Sequence, residues 1–283
     1  MPLETKVLLD GLAFGESPRW HGGKLWFSDM HAHWVMTVDL NGKAEKIVEV
    51  PGQPSGLGWL PDGRLLVVSM TDKRLLRLDP DGLTVAADLS GLASGVCNDM
   101  VVDNQGRAYI GHSGFDPYVE HPSPALADII MVKPDGDSRV VATKVNFPNG
   151  SVITPDGKTL IVAESFTSLL TAFDIKPDGS LAERRVWAKL EKGVMPDGIC
   201  LDAEGAVWVA NAAGNEVLRV REGGEVTHLI KVATTAFACM LGGPERRTLF
   251  ICTAETFDRD KCRSKASGRI ETIKVEVPGA GLP

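Results

Sequence analysis

The feature that most constrains this 283-residue chain is a pattern that recurs six times along it. Each copy has a short apolar strand, a polar turn and a second strand rich in Val, Ile, Leu and aromatic residues. The copies lie at residues 19–28, 57–69, 100–111, 152–163, 199–210 and 240–252. A third alternating segment follows each pair, and most copies then add a fourth.

Four antiparallel strands repeated about every 40 to 50 residues are typical of propeller blades around a central channel. We therefore predict an all-β, six-bladed β-propeller with four strands per blade, forming a single domain over residues 1–283. The last copy lacks a fourth strand, whereas the N-terminal segment KVLLDGL resembles the fourth strands elsewhere. We expect residues 6–10 to complete the sixth blade, because closing the ring removes exposed strand edges.

The overall charge and composition limit the kinds of molecule that the protein is expected to bind. The net charge is −7 and no Lys/Arg cluster stands out, so nucleic acid is not an expected partner. The N-terminal stretch MPLETKVLLDGLAFGE is neither a signal peptide nor a membrane span, which predicts a cytoplasmic protein without a membrane partner. We expect a monomer or weak homo-oligomer. Five cysteines without CxxC spacing indicate buried, reduced thiols.

Oxygen-bearing side chains recur at one offset in the repeat. The hairpin turns of four copies end in Gly63, Gly106, Gly157 and Gly205, and the residues eight positions earlier are Ser55, Asn98, Asn149 and Asp197. In the first copy, Glu16 lies seven positions before Gly23. The first strand of a propeller blade is innermost, so we expect these side chains to converge on the channel axis.

One Glu, one Asp, two Asn and one Ser would form a set of hard oxygen donors without His or Cys. Such a set suits one divalent metal ion, with Ca²⁺ favoured and Mg²⁺, Mn²⁺, Zn²⁺ or iron as alternatives. The alternative for each residue is a simple turn position, since Asn and Asp before Gly form Asx-turns. Pro155-Asp156-Gly157 is predicted to be such a turn, whereas Pro148-Asn149-Gly150 is predicted to place Asn149 on the axis.

Four motifs carry a family resemblance that covers essentially the whole chain. They are GESPRW at 15–20, VCND at 96–99, Pro148-Asn149-Gly150 and Pro196-Asp197-Gly198. They resemble the motifs of the senescence marker protein/gluconolactonase (regucalcin-like) family. The resemblance implies a six-bladed propeller with one divalent metal and lactone hydrolysis as the activity. It also implies that Glu16, Asn149 and Asp197 are metal ligands, and that Asn98 faces substrate or completes the shell.

One departure from the family bears on the substrate. Many members have an Arg that contacts polyhydroxylated sugar lactones where this chain has Val96. The other residues at the same offset are Phe14, Gln53, Phe147 and Met195, which predicts a largely apolar collar above the metal. The hypothesis is a lactone or ester more hydrophobic than an aldonolactone. The alternative is that these side chains only pack between blades.

The loop at 112–127 is long for a connection within a blade, and such loops are often lids. Phe115 and Tyr118 could cover the channel and His112 could donate to a substrate oxygen, although an ordinary surface loop would have the same length. His31 and His33 follow the second strand of the first copy and are expected at the surface, with a position of at least one of them near the mouth as the alternative.

These observations favour a metal-dependent lactonase that acts on a small-molecule lactone or ester. Asn98 would position the carbonyl, and Asp197 would act as general base or, as a variant, as nucleophile. No GxSxG elbow is present to support Ser-His-Asp catalysis. The alternatives are a phosphotriesterase or fluorophosphatase and a calcium-binding propeller without turnover, because fold alone does not decide function.

Overall fold

A computed structural model describes residues 4–119 and 121–281. Residues 1–3, 120, 282 and 283 lie outside the described residues, so the limits of the predicted domain and one position of the 112–127 loop are not covered. The described chain forms six antiparallel sheets of four strands each. The predicted fold class, a six-bladed β-propeller, is confirmed.

The blades are numbered by the order of their innermost strands, and the strands of each blade are given from the channel outward. Blade one contains β2 (Gly15–His21), β3 (Lys24–Asp29), β4 (Trp34–Val38) and β5 (Ala44–Glu49). Blade two contains β6 (Pro54–Trp59), β7 (Leu65–Ser69), β8 (Arg74–Asp79) and β9 (Gly82–Asp88). Blade three contains β10 (Cys97–Val102), β11 (Ala108–His112), β12 (Ala127–Val132) and β13 (Ser138–Val145).

Blade four contains β14 (Pro148–Ile153), β15 (Thr159–Glu164), β16 (Leu169–Ile175) and β17 (Leu181–Lys189). Blade five contains β18 (Pro196–Leu201), β19 (Val207–Asn211), β20 (Glu216–Val220) and β21 (Val226–Lys231). Blade six contains β22 (Thr235–Gly242), β23 (Thr248–Ala254), β24 (Gly268–Lys274) and β1 (Lys6–Leu12). A short helix, α1 (Arg259–Lys265), lies in the loop between β23 and β24.

The ring closes as predicted, by pairing the N-terminal strand with the last one. β1 runs antiparallel to β24, with Lys6 opposite Thr272 and Leu12 opposite Gly268. The strand is two residues longer than the predicted 6–10 segment. Because the two ends of the chain share one sheet, opening of the ring requires loss of a full strand pairing.

The innermost strands of neighbouring blades contact one another all round the ring. Close approach depends on the glycines that follow Asn149 and Asp197. A Cβ on Gly150 would lie 2.5 Å from the carbonyl oxygen of Asp197, and one on Gly198 would lie 2.5 Å from the Cβ of Ala238. Gly157, by contrast, has φ of +70° and forms the hairpin turn predicted for its triplet. The two similar triplets therefore have different structural tasks.

Each innermost strand also carries a one-residue β-bulge near its start. In β14, Pro148 pairs with Glu164 and Ser151 pairs with Val162, so two residues of β14 face one residue of β15. The corresponding irregularities lie between Glu16 and Arg19, Pro54 and Leu57, Cys97 and Met100, Pro196 and Ile199, and Ala236 and Ala238. A bulge redirects side chains from the regular alternation. In this protein the bulge recurs at the start of every innermost strand, next to the side chains that are predicted to reach the channel.

Apolar side chains from facing sheets fill the space between blades, as with buried Trp208, Phe250 and Leu241 between blades five and six. Among the described residues, no helix is long and apolar enough to span a bilayer.

We predict that Gly150→Ala destabilises the protein by about 1–3 kcal/mol, because the added methyl group overlaps the backbone of the next blade. Gly91→Ala is the matched control, since its Cβ would meet no atom within 4 Å and its φ is not left-handed. Urea unfolding monitored by tryptophan fluorescence measures both. Equal stability of the two variants would contradict the proposed packing role.

Candidate metal centre

The amide side chains on the axis form a chain of hydrogen bonds. Asn98 Nδ2 donates to Asn149 Oδ1 at 3.0 Å, and Ser55 Oγ donates to Asn98 Oδ1 at 3.3 Å. Asn149 Nδ2 donates to Ser165 Oγ at 3.2 Å. Ser165 in turn donates to the carbonyl oxygen of Pro196 at 2.8 Å. Residues from blades two, three and four are thus brought together as the repeat offset predicted.

The two predicted carboxylate ligands are buried in the same region. Glu16 is 8% exposed and Asp197 is 7% exposed. Burial raises the pKa of Glu16 well above its usual range, and the nearby charge of Asp197 raises it further. Burial and the charge of Asp99 raise the pKa of Asp197, while the Asn149 amide partly offsets this. The two carboxylates therefore lie close enough to repel each other.

A buried ion pair that the sequence analysis did not assign lies beside them. Arg19 Nη2 contacts Asp99 Oδ1 at 2.8 Å and also donates to the carbonyl oxygen of Met100 at 2.6 Å. Both partners are at most 5% exposed in their side chains. Arg19 and Asp99 belong to the GESPRW and VCND motifs, but the repeat offset selected only Glu16 and Asn98 from them.

The charges in this part of the channel do not cancel. Glu16, Asp99 and Asp197 contribute three carboxylates, whereas Arg19 contributes one guanidinium. If all are ionised, two negative charges remain in a buried site, where unpaired charge is strongly unfavourable. This net charge of −2 is equal in size and opposite in sign to the charge of one divalent cation.

The donor chemistry fits such a cation. Carboxylate and amide oxygens are the ligands that Ca²⁺ and Mg²⁺ prefer. In the described part of the chain, no group of three or more His, Cys, Asp and Glu side chains is arranged to hold a metal ion. A metal in the channel would therefore need amide oxygen in addition to Glu16 and Asp197, and Asn149 is placed to supply it.

Apolar and aromatic side chains surround the axis above these donors. Phe14 packs against Phe237 with ring centres 4.7 Å apart, and Val96 belongs to the same buried cluster. Phe147 packs against Phe166 at 4.7 Å and against Phe115 at 5.9 Å. Half-buried Met195 leads directly into β18.

Two of these collar positions have strained backbones. Gln53 has φ of +66° and Phe147 has φ of +51°, and each directly precedes a proline. The left-handed region costs a non-glycine residue about 1 kcal/mol or more. The fold maintains this conformation at two equivalent positions of the collar, and both side chains contact neighbouring loops.

Blade six contributes an aromatic ring where the other blades present polar groups. Phe237 occupies the bulge of β22 and is buried against Phe14. The hairpin of blade six, LGGPERR, lacks the regular turn glycine from which the offset was counted. The repeat offset therefore does not identify Phe237.

The histidines differ from their expected placement. His112 is buried, and its two ring nitrogens lie 3.1 Å and 3.0 Å from the backbone amides of Gly114 and Asp128. A neutral imidazole accepts a hydrogen bond at only one of these nitrogens, but backbone amides of its own loop lie against both, so neither is left for a substrate. His31 is also buried, in contrast to the surface position expected for it. Burial lowers the pKa of His31 to about 4, so it is neutral beside Phe14.

Tyr118 reaches over the mouth of the channel from the 112–127 loop. Its hydroxyl lies 3.9 Å from the sulfur of Met30, and its ring packs on the cluster that contains Phe14 and Val96. The guanidinium of Arg259 lies 4.1 Å from the ring centre on the other side. Burial raises the pKa of Tyr118 to about 12. The described part of this loop therefore covers one side of the mouth.

Fold and site together define a six-bladed propeller with an acidic, oxygen-lined channel under an aromatic collar. The chain belongs to the family described as the SMP-30/Gluconolactonase/LRE-like region, whose model matches residues 14–255. The family identified from the four motifs is thereby confirmed.

Similar proteins match along most of their length. Regucalcin from Danio rerio is 30% identical over 256 residues, covering 85% of this chain and 82% of that protein. A 6-deoxy-6-sulfogluconolactonase from Pseudomonas putida is 24% identical over 277 residues, covering 95% and 94% of the two chains. The structure of regucalcin from Agrobacterium tumefaciens, described as a calcium-binding protein, superposes with a TM-score of 0.82 at 21% identity. It covers 100% of this chain and 97% of its own.

We predict that Ca²⁺ stabilises the wild-type protein by about 2.7 kcal/mol at a concentration one hundred times its Kd. Glu16→Gln should lose this gain, because it removes a charged oxygen donor. In chelator-treated protein the same variant should instead be more stable than the wild type, since it removes carboxylate repulsion. Unfolding in urea with Ca²⁺ and with chelator gives both values.

Glu191→Gln is the matched control, because Glu191 is exposed in the loop before β18 on the same face. It should respond to Ca²⁺ as the wild type does. An undiminished Ca²⁺ effect in Glu16→Gln would contradict the assignment of Glu16.

Proposed function

We propose that this protein is a divalent-metal-dependent lactonase. The observation that carries the proposal is the pair of buried, uncompensated carboxylates, Glu16 and Asp197, beside oriented amides at the base of an apolar collar. Buried carboxylates with raised pKa in a cleft are frequent in catalytic sites. Membership of the family and the lactonase name of the Pseudomonas putida relative support the reaction type.

Glu16, Asn149 and Asp197 would hold the metal ion, and Ca²⁺ is the favoured ion. The all-oxygen donor set and the calcium-binding description of the Agrobacterium tumefaciens protein support this choice. The chemistry that the ion supplies when bound is Lewis-acid activation of a carbonyl oxygen.

The side chains supply the remaining steps of ester hydrolysis. Asp197 accepts a proton from water as the water oxygen attacks the carbonyl carbon. The ring C–O bond then breaks, and the departing alkoxide takes up the proton to give a hydroxy acid. Asn98 is half-buried and uses one of the two N–H groups of its Nδ2 for Asn149, so the other can donate to the carbonyl oxygen and fix its orientation.

The collar supports an apolar lactone or ester as substrate. Phe14, Val96, Phe147 and Met195 offer no hydrogen bonds to ring hydroxyl groups, so a polyhydroxylated sugar lactone would lose its hydration without new partners. An alkyl- or aryl-substituted ring would instead gain contact area.

Calcium binding without turnover is the second candidate, and the description of the Agrobacterium tumefaciens protein favours it. The two candidates share the metal site but differ in what the collar is for. If the protein hydrolyses any lactone, and if that hydrolysis requires Asp197, the lactonase candidate is supported over calcium binding without turnover.

We predict that Asp197→Asn lowers kcat/KM for a favourable lactone by about 10²–10⁴-fold, because it removes the base and one charge of the metal site. Asp156→Asn is the matched control. It changes the same residue type within a similar Pro-Asp-Gly triplet, but on an exposed hairpin turn. A steady-state assay with Ca²⁺, Mg²⁺ and Mn²⁺ measures both. Full activity of Asp197→Asn would exclude the proposed role.

We predict that Phe147→Ala lowers kcat/KM for an alkyl-substituted γ-lactone by about tenfold, since it removes one apolar wall of the collar. Gluconolactone hydrolysis should change by less than about threefold. Phe257→Ala is the control, because Phe257 is 69% exposed on the same face. The apolar-substrate proposal fails if wild-type protein hydrolyses gluconolactone far more efficiently than every alkyl or aryl lactone.

A further inference from the structure

A cavity of about 310 Å³ opens beside the collar, between loops of blades two, three and six. Val96 and Tyr118 form part of its wall, so it adjoins the apolar cluster above the axis. Two basic residues, Lys73 and Arg259, line its other side. The cavity therefore combines one wall of the proposed lactone site with positive charge.

Arg259 is held in place without its charge being neutralised. Its guanidinium stacks 4.1 Å from the centre of the Tyr118 ring, and its Nη2 donates to Gln53 Oε1 at 3.2 Å. Its Nε is buried and has no hydrogen-bond partner among residues 4–119 and 121–281. The guanidinium thus keeps donor capacity at a fixed position.

Lys73 is held in a similar way. Its Nζ donates to the carbonyl oxygen of Ala93 at 3.0 Å, which uses one of its three N–H groups. Within the described ranges, neither Lys73 nor Arg259 has a carboxylate partner within ion-pair distance. Both cations are partly buried, so a ligand anion would compete with less water than at an open surface.

One acidic residue also lines the cavity. Asp116 accepts a hydrogen bond from the backbone N–H of Tyr118 at 2.9 Å. It offsets one of the two positive charges, which leaves a net charge of about +1 among these lining side chains. The polar lining is completed by Thr71 and Ser94.

We propose that this cavity binds a carboxylate, or another oxyacid anion, carried by the substrate of the lactone site. The inference rests on the proposed function and deepens it. Charged N–H donors from Lys73 and Arg259 form stronger hydrogen bonds to an anion than to a neutral hydroxyl. Val96 belongs both to the wall of this cavity and to the collar of the lactone site. A substrate that fills both is a lactone with an apolar ring and an acidic side chain.

The test compares a γ-butyrolactone that carries a carboxymethyl group with its carboxamide counterpart, which has the same shape without the charge. The ratio of kcat/KM for acid over amide should exceed one in the wild type. Lys73→Gln should lower this ratio by about tenfold. Lys73→Arg should retain most of the preference because it keeps the charge.

Lys192→Gln is the matched control, because it removes one positive charge from an exposed loop on the same face of the propeller. It should leave the ratio unchanged. If lactones are hydrolysed but the wild type treats acid and amide equally, or Lys73→Gln keeps the full ratio, the anion site is overturned while the lactonase proposal stands.

A second measurement applies if the protein hydrolyses no lactone. The non-hydrolysable cyclopentanone analogue of each ligand can be titrated into the protein by calorimetry. The acid should bind about tenfold more tightly than the amide, and Lys73→Gln should remove that difference. This result with no lactone turnover would overturn the proposed function but support the anion site, whereas equal binding of acid and amide would overturn the anion site.

Discussion

Two buried carboxylates, Glu16 and Asp197, lie close enough to repel each other, and this repulsion is the main electrostatic constraint on the channel. A third carboxylate, Asp99, is paired with Arg19, so two negative charges are left without a partner when Glu16 and Asp197 are ionised. Burial of such a pair as ions is costly unless a cation is bound, and functional sites often carry such a cost. The six inner strands provide the scaffold, because their bulges turn side chains toward one axis and glycines such as Gly150 let the blades pack closely around it.

The aromatic collar and the covered mouth follow from the same arrangement. Loops between second and third strands and those between blades all open on one face, where they pack against each other. Arg263 of α1 donates to the carbonyl oxygen of His31 at 2.9 Å, and Arg259 links the same segment to Gln53 and Tyr118. These contacts leave Phe14, His31 and Val96 buried around the mouth of the channel, and burial strengthens electrostatic interactions there.

Much of this could be predicted from the sequence, because a repeat transmits its geometry from one copy to the next. Six copies gave the blade number, the unpaired last copy indicated closure by β1, and one offset brought Asn98, Asn149 and Asp197 to the axis. Contacts between copies are not encoded in the period. The Arg19–Asp99 pair joins blades one and three, so no offset within a copy could reveal it.

The positions of Phe237, His31 and His112 were not predicted from the sequence, and each has a physical reason. Blade six has a different turn in place of the regular hairpin. It lacks the turn glycine from which the repeat offset is counted, so Phe237 could not be predicted. His31 became buried because a segment from the far end of the sequence packs over it, and loop packing of this kind has no periodic signal. His112 looked suited to catalysis, but backbone amides of its own loop approach both ring nitrogens.

We propose that the axis holds one divalent cation between Glu16, Asn149 and Asp197. A crystal structure of the protein grown with Mn²⁺, with diffraction data collected on both sides of the manganese absorption edge, tests it most directly. We expect one strong anomalous peak per chain, within coordination distance of oxygens from all three side chains. An empty axis at saturating Mn²⁺, or a peak bound only elsewhere, would contradict it.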